Sequence, residues 1–426
     1  MWKNAGFIFG AIVLSASMWI WIQAIAIPHQ QAESAAKGSP RGNLSDLYPR
    51  WLGARELLIH RRDPYSDDIT REIQIGYYGR MLDPLRPNDP KDQQAFAYPV
   101  YVVLLLAPTV GLPFSIVHAA FFWLLIVITA ASVFLWIDAL HWRVSLTSKI
   151  VWMLLTLSSF PAIQGAKLQQ LSLLIAGLIS CAIWAVTRGH LASAGILFAV
   201  CTIKPQLAVL PVLWLCIWVL GAWPKRQRAL WGFAAAMAAF IGTGEVLLPG
   251  WIHEFRNACS AYYRYTGGGR SVLDVALTPS IGRIVSVILI GLFVILIWQT
   301  RRSAEGESGF QWSFCLALAT TLVVVPMFAP YNQVLLLPGV MLIARSAREL
   351  WNRTALSRLL LAVTAAVIFE QWVAAFLLSC ALLVLPTLTV QKAWALPFYA
   401  SLTIPVVVCA EVILLGRVIT GHSQSE

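Results

Sequence analysis

The sequence predicts an all-α polytopic membrane protein, a helical bundle of about twelve transmembrane helices with a large first extracytoplasmic loop. Of its 426 residues, 58% are apolar and only 12% are charged, and the mean hydropathy is +0.71. Soluble globular chains carry about 25% charged residues, whereas apolar runs of about 20 residues are what a spanning helix requires. These values exclude a soluble enzyme and, despite the net charge of +11, a nucleic-acid-binding protein. An outer-membrane barrel is excluded because its strands alternate in hydropathy over about ten residues.

The whole chain, 1–426, is predicted to form one integral membrane domain whose first span covers 6–27. This run is long for the apolar region of a signal peptide, and no clean cleavage site follows it, so we predict a retained anchor. The remaining spans are predicted within 114–416, near 114–139, 148–163, 170–187, 190–204, 206–221, 229–248, 281–299, 311–327, 331–345, 359–384 and 397–416.

Basic residues predict the orientation of the chain. Alternate short connections carry clusters of Lys and Arg, which the positive-inside rule places in the cytoplasm. The clusters are Arg143 and Lys149; Arg188; Lys225, Arg226 and Arg228; Arg301 and Arg302; and Arg345, Arg348, Arg353 and Arg358. The alternation then places both termini inside and residues 28–98 outside.

Residues 28–98 hold ten of the 20 acidic residues and contain no spanning run, which predicts one structured extracytoplasmic loop with interfacial helices. Residues 98–112 are apolar but shorter than the roughly 17 to 25 residues of a span, so we predict a re-entrant or interfacial helix. Pro161, Pro205 and Pro330 fall at predicted outer ends of spans. Interrupted helices are tolerated where they line a cavity, which predicts a water-accessible cavity open to the outside.

Asp46 is predicted to lie at the start of a helix in this loop. Leu47, Trp51 and Ala54 follow at helical spacing, which indicates an amphipathic helix suited to the membrane surface. Pro49 is tolerated only in the first turn of that helix. An ionised carboxylate at this boundary could act as a general base toward a hydroxyl. The alternative is that Asp46 only caps the helix.

A resemblance to glycosyltransferase family 87, membrane enzymes of the GT-C superfamily, begins at residues 46–65, DLYPRWLGARELLIHRRDPY. Members of that family typically show an Asp followed by an aromatic residue, a helix and a DPY-like end. Tyr98-Pro99 resembles the family's Tyr-Pro-Pro segment, although Val100 replaces the second Pro.

Three later segments extend this resemblance, which covers roughly residues 6–345. Gln169-Gln170 resembles the family's Gly-Gln element, and AGILFAVCTIKPQ, ending at Lys204-Pro205-Gln206, resembles its Gly-Leu…Lys-Pro segment. Pro330-Tyr331-Asn332 stands where many members have an aromatic and His-rich stretch, and no His is present here.

The resemblance implies a hexosyltransferase that moves a sugar, often mannose, from a polyprenyl-phosphate-sugar donor to a lipid or glycan acceptor. The reaction would be a single inverting displacement on the periplasmic face of the bacterial plasma (inner) membrane, with Asp46 as the catalytic base. The candidate substrate-binding residues in the matching segments are Lys204, Gln169, Gln170, Tyr331, Asn332 and Tyr98.

Cations on the outer face suit a leaving group that departs as a charged phosphate. Lys204 precedes a Pro at the end of a span and could contact that phosphate, or its ammonium could reach the lipid headgroups instead. Arg264 and Arg270 lie in an aromatic and Gly-rich stretch that could close over a substrate. The alternative for that stretch is an ordinary interfacial Tyr belt.

The sequence predicts no cofactor and no metal site. The seven Cys residues are scattered, and they form neither a CxxC pair nor a Cys/His cluster. Membrane lipids are the expected surroundings, and nucleic acid is not an expected partner.

Three other functions compete with the transferase. A polytopic lipid or glycan transporter or flippase would also carry charged residues in a cavity, but such folds commonly show internal repeats, and none is found here. A ligase that joins a polyprenyl-linked glycan to an acceptor usually has its large loop late in the chain. A non-catalytic assembly subunit has no positive mark in the sequence.

Overall fold

The structure is a computed structural model that describes residues 2–43, 45–266 and 268–422, and across these residues all regular structure is helical. The α-helices are α1 (Trp2–Ile20), α2 (Ile27–Lys37), α3 (Leu47–His60), α4 (Asp67–Tyr78), α5 (Val102–Leu106), α6 (Phe114–Ala139), α7 (Leu146–Ser158), α8 (Phe160–Lys167), α9 (Leu171–Thr187), α10 (Leu191–Cys201), α11 (Pro205–Leu220), α12 (Trp223–Leu247), α13 (Trp251–Tyr265), α14 (Val272–Ala276), α15 (Pro279–Thr300), α16 (Ser308–Val324), α17 (Leu337–Arg345), α18 (Ala347–Arg353), α19 (Ala355–Ala381), α20 (Thr387–Gln391) and α21 (Thr403–His422). A π-helical segment joins α1 to α2, and 3-10 turns occupy Ala107–Thr109, Pro330–Leu336 and Leu396–Leu402.

Six helical segments are long and apolar enough to cross a membrane, or seven if the bent pair α7 and α8 is counted as one span. The six are Ala5–Lys37, Phe114–Ala139, Trp223–Leu247, Pro279–Thr300, Ala355–Ala381 and Thr387–Gly416. Helices of this length and hydropathy are stable in a bilayer because each satisfies its own backbone hydrogen bonds. The protein is therefore a polytopic helical membrane protein, as the composition predicts.

The predicted count of twelve spans is not reached. Four of the predicted spans are the short helices α9, α10, α11 and α16, which have 17, 11, 16 and 17 residues. The predicted span 148–163 is broken between α7 and α8, whose axes differ by 55°. The predicted span 331–345 is divided between a 3-10 turn and the nine-residue helix α17. Proline at the start of α8, α11, α17 and that turn explains these breaks, because its missing N–H ends a preceding helix.

The short helices α9 and α16 form the centre of the bundle. Most side chains of α9 and nearly all of α16 are buried, including small and polar ones. A helix that is buried over most of its surface is enclosed by other helices and need not match the thickness of a bilayer by itself. Their ends are therefore free to form a cavity within the protein.

The segment 28–98 contains α3 and α4 and packs onto the bundle through α5. The predicted helix after Asp46 is α3, and its Leu47, Trp51 and Ala54 are buried in the same hydrophobic core as the central helices. Residues 98–112 form only the five-residue helix α5 and one 3-10 turn, which are too short to span. The first helical segment continues through α2, so it extends ten residues beyond the predicted boundary at residue 27.

The predicted orientation can be tested with a membrane-impermeant thiol reagent. In a Cys380→Ser background, which removes the exposed native thiol, we expect Leu85→Cys to be labelled in intact cells, because Leu85 is 90% exposed in the 28–98 segment. Lys225→Cys, in the exposed start of α12, should be labelled only after permeabilisation. Peptide mass spectrometry measures the labelling of each introduced Cys separately. Labelling of Lys225→Cys but not of Leu85→Cys in intact cells would place the 28–98 segment in the cytoplasm.

Candidate active site

Asp46 lies immediately before α3 but does not cap it. Its backbone N–H donates to the carbonyl of Leu168 at 2.9 Å, which ties the start of α3 to the turn between α8 and α9. Its side chain makes no capping hydrogen bond to the helix. The carboxylate instead accepts a hydrogen bond from Nε2 of Gln170. The carboxylate is therefore directed away from the helix end, unlike in the capping alternative.

The turn that carries Gln170 is held in place by Gln169. Gln169 is fully buried and has the left-handed backbone conformation, with φ of 51°. Its amide accepts from the hydroxyl of Ser45 and donates to the carbonyl of His118. Gln169, a predicted substrate-binding residue, thus braces the turn and positions Gln170 beside Asp46.

Lys204 lies in a buried polar network. Its Nζ donates to Oε1 of Gln170 at 3.3 Å and to Oγ of Ser172 at 2.6 Å. Ser172 in turn donates to Oδ1 of Asn332 at 2.7 Å. The ammonium also lies 5.1 Å from the ring centroid of Tyr331, and Lys204 is only 5% exposed. The ammonium is therefore enclosed by protein and does not extend toward lipid headgroups.

Gln170 connects the carboxylate to the ammonium. Its NH₂ group faces Asp46 and its carbonyl oxygen faces Lys204, which is the orientation that satisfies both neighbours. No salt bridge joins Asp46 to a cation within the described residues. The carboxylate and the ammonium are thus fixed near each other without neutralising each other through direct contact.

Arg50 adds a second cation, which is not among the site residues predicted from the sequence. Its Nη2 donates to Oη of Tyr98 at 2.8 Å, and its guanidinium carbon lies 4.2 Å from the centroid of that ring. Its Nε is buried without a hydrogen-bond partner. Arg50 follows Asp46 by four residues, so the i, i+4 spacing on one helix face could have identified it.

These groups surround one cavity of about 270 Å³. Its lining includes six of the predicted site residues: Asp46, Tyr98, Gln170, Lys204, Tyr331 and Asn332. It also includes Arg50, Asp92, Gln94 and Tyr262, which were not predicted. The predicted Arg264 and Arg270 are exposed and do not line it.

Two carboxyl groups, those of Asp46 and Asp92, line this cavity. Burial raises the pKa of Asp46 above its ordinary range; Arg50 is the largest opposing influence, and Asp92 raises that pKa further. Burial likewise raises the pKa of Asp92, against the N–H of Gln94, which donates to its carboxylate at 2.9 Å. A carboxylate with a raised pKa accepts a proton more readily than a solvated one, as a general base requires.

The cavity thus combines a base with two cations. Among the described residues, no three His, Cys, Asp or Glu side chains converge as ligands for a metal ion. A carboxylate can take a proton from a hydroxyl, and a guanidinium and an ammonium can hold a phosphate. The arrangement therefore suits transfer of a group from a phosphate to a hydroxyl.

Replacing Asp92 with Asn should lower the pKa of Asp46, because it removes a nearby negative charge. A hydrophobic carbodiimide reacts with protonated carboxyl groups, so the pH midpoint of Asp46 modification reports this pKa. We expect the wild-type midpoint to lie above about 4, the ordinary value for Asp, and the variant midpoint to lie below that of the wild type. Asp67→Asn, at an exposed position, is the matched control. An unchanged midpoint in Asp92→Asn would contradict the coupling.

Comparison with known proteins gives no match for this chain among family models, curated proteins or solved structures.

Proposed function

We propose that this protein is a membrane glycosyltransferase that moves a sugar, with mannose as the first candidate, from a polyprenyl-phosphate-sugar donor to a lipid or glycan acceptor. The observation that carries the proposal is that the carboxylate of Asp46 shares one cavity with the cations Lys204 and Arg50 without a salt bridge to either. The resemblance to glycosyltransferase family 87 supports the same reaction. A GT-C-like helical bundle, in which some central helices are too short to span alone, would be its scaffold.

Asp46 acts as the general base. The acceptor hydroxyl attacks the anomeric carbon of the donor sugar while its proton passes to the carboxylate of Asp46. The hydrogen bond from Gln170 holds that carboxylate in place and leaves lone pairs on both oxygens for the acceptor. The raised pKa of Asp46 improves proton acceptance at neutral pH.

Lys204 and Arg50 stabilise the leaving group. As the new bond to the anomeric carbon forms, the bond from that carbon to the phosphate oxygen breaks, and the polyprenyl phosphate keeps the electron pair. The phosphate changes from a monoanionic diester to a monoester that carries more negative charge. Preorganised cations stabilise such developing charge without reorganisation of solvent. A single displacement of this kind inverts the configuration of the anomeric carbon.

The reaction would take place on the extracytoplasmic face of a bacterial plasma membrane. The clusters of Lys and Arg in the alternate connections support this face, because they favour the cytoplasm. The donor, the acceptor and the surrounding membrane lipids are the proposed partners, and the reaction as written uses no cofactor.

The proposal is tested with membranes that contain the wild-type protein and a panel of labelled polyprenyl-phosphate sugars, beginning with mannose. We expect label to pass to an endogenous lipid or glycan while the donor is consumed in equal amount. Movement of an intact donor across the membrane without transfer would instead establish a transporter. No turnover with any donor, despite folded protein and native acceptors, would overturn the transferase.

A further inference from the structure

A second cavity, of about 350 Å³, lies against the same two segments that line the first one. Leu168 and Pro330 line the second cavity, whereas Gln170 and Tyr331 line the first. The turn between α8 and α9 and the 3-10 turn after α16 therefore have one cavity on each side. The mechanism proposed above leaves this second cavity unused.

Aromatic rings form much of its wall. The rings of Trp21 and Phe160 meet edge to face at 5.9 Å between centroids, and those of Phe160 and Phe398 stack at 5.3 Å. The ring centroids of Trp394 and Phe398 lie 5.2 Å apart. The indole N–H of Trp21 donates to the backbone carbonyl of Trp394 at 3.0 Å. Such rings pack well against the apolar faces of sugars and against isoprenoid chains. The wall is therefore suited to an amphipathic ligand.

Two cations line the second cavity. They are Arg41 and Lys167. Nη2 of Arg41 donates to Oε1 of Gln30 at 3.0 Å, which orients the guanidinium. The charges of Arg41 and Lys167 repel each other. No Asp or Glu lines the cavity, and neither cation has a salt bridge within the described residues. A pair of like charges on a largely apolar wall favours the binding of an anion. The cavity therefore has a net positive charge and lacks its counter-charge.

A polar group in the same wall also lacks a partner. Gln164 lines the cavity, and its Oε1 is buried without a hydrogen bond. An amide can accept from a sugar hydroxyl, or its NH₂ group can donate to a phosphate oxygen. Buried polar groups are normally paired, so Gln164 is a polar group of this wall that the protein itself leaves unsatisfied.

We propose that the second cavity binds the phosphate of a lipid-linked acceptor, with Arg41 and Lys167 as its ligands. This inference rests on the proposed transferase, in which Lys204 and Arg50 hold the phosphate of the donor. Arg41 and Lys167 form a second pair of cations, which would bind a second phosphate, that of the acceptor. Arg41 and Lys167 can both donate charged hydrogen bonds to the oxygens of that phosphate, and the aromatic wall takes the adjoining apolar or sugar portion. The acceptor is thus a glycan or lipid carried on a phosphate, bound on the other side of the two turns that line the first cavity.

The test measures binding of a C55 polyprenyl phosphate to the purified full-length protein by native mass spectrometry. All variants carry Lys204→Gln, which weakens phosphate binding in the first cavity. We expect Arg41→Gln/Lys167→Gln to weaken binding by about 10- to 100-fold, since two charged hydrogen-bond donors are lost. Lys392→Gln, which removes an exposed cation close to Trp394, should leave binding unchanged. Arg41→Lys/Lys167→Arg keeps both charges and should retain most of the binding.

Three further probes identify the source of the phosphate. Neutral polyprenol should bind much more weakly than the polyprenyl phosphate, and inorganic phosphate should not displace it at millimolar concentration. An excess of phosphatidylglycerol that displaces it would reassign the cavity to bulk membrane phospholipid and overturn the proposal. Unchanged affinity in a folded Arg41→Gln/Lys167→Gln variant would overturn it as well.

Transfer kinetics separate this inference from the proposed function. If both hold, Arg41→Gln/Lys167→Gln raises the KM for the acceptor by about tenfold or more and leaves the KM for the donor near its wild-type value. If transfer depends on Asp46 but the affinity for polyprenyl phosphate does not change when Arg41 and Lys167 are replaced, only the proposed second site is wrong. If binding depends on those two cations but no sugar is ever transferred, the lipid-phosphate site stands and the transferase fails.

Discussion

Replacing Asp46 with Asn should lower kcat for sugar transfer by about 10²- to 10⁴-fold, the range that general-base catalysis supplies. Asn keeps the shape of the side chain and an oxygen that can accept from Gln170, but it cannot take a proton at neutral pH. The measurement is the initial rate of label transfer at saturating donor, together with donor binding and the thermal unfolding midpoint. Donor affinity should stay within a few-fold of wild type.

The change in thermal stability caused by Asp46→Asn can also be predicted in direction. Because burial raises the pKa of Asp46 in the folded protein, ionisation of Asp46 costs stability as the pH rises through that pKa. Asn avoids this cost, so the thermal midpoint of Asp46→Asn should be no lower than that of wild type at neutral pH. Asp67→Asn, an exposed change of the same kind, should keep full activity. Full activity in Asp46→Asn would exclude Asp46 as the base.

Replacing Lys204 with Gln should lower kcat/KM for the donor by about 10²- to 10³-fold, as removal of one preorganised donor does in other oxyanion sites. Gln keeps a polar side chain that can bond to Ser172 but has no charge for the leaving phosphate. The measurement is the rate of transfer across a range of donor concentrations. Because Lys204 is buried within a hydrogen-bonded network, thermal unfolding must accompany the kinetics.

Two further variants make the result at Lys204 specific. Lys204→Arg keeps the charge and should recover part of the lost activity, whereas Lys392→Gln removes an exposed cation and should have no effect. If folded Lys204→Gln transfers sugar at the wild-type rate, the ammonium serves only the internal network. The leaving group would then depend on Arg50 alone.

Much of the candidate site could be predicted because its residues lie where helices break. Gln170, Lys204 and Tyr331 each lie beside a helix end or a proline, and all three reach the same cavity. Breaks of this kind are visible in sequence, and the bilayer restricts them to places where protein encloses the backbone. The class of protein was predictable for the same reason, since a membrane imposes length and hydropathy on its helices.

The parts that could not be predicted depend on packing between distant residues. The number of spans was too high because the central helices α9 and α16 are enclosed by protein and need not match the bilayer. In the sequence, Gln169 and Gln170 are equally good candidates for substrate binding. The structure distinguishes them, because Gln169 has a left-handed backbone and buried hydrogen bonds that hold the turn in place. The second cavity joins Trp21, Phe160 and Trp394, which no local pattern connects.

The most direct test of Asp46 as the base of a single displacement is the configuration of the product after one turnover. Wild-type protein and Asp46→Asn are each mixed with an equimolar amount of labelled mannosyl polyprenyl phosphate and native acceptor, and the product is digested with mannosidases specific for α or β linkages. We expect wild type to form a product whose anomeric configuration is opposite to that of the donor, and Asp46→Asn to form almost none. A product with the configuration of the donor, or one formed equally by both proteins, would contradict a single displacement with Asp46 as its base.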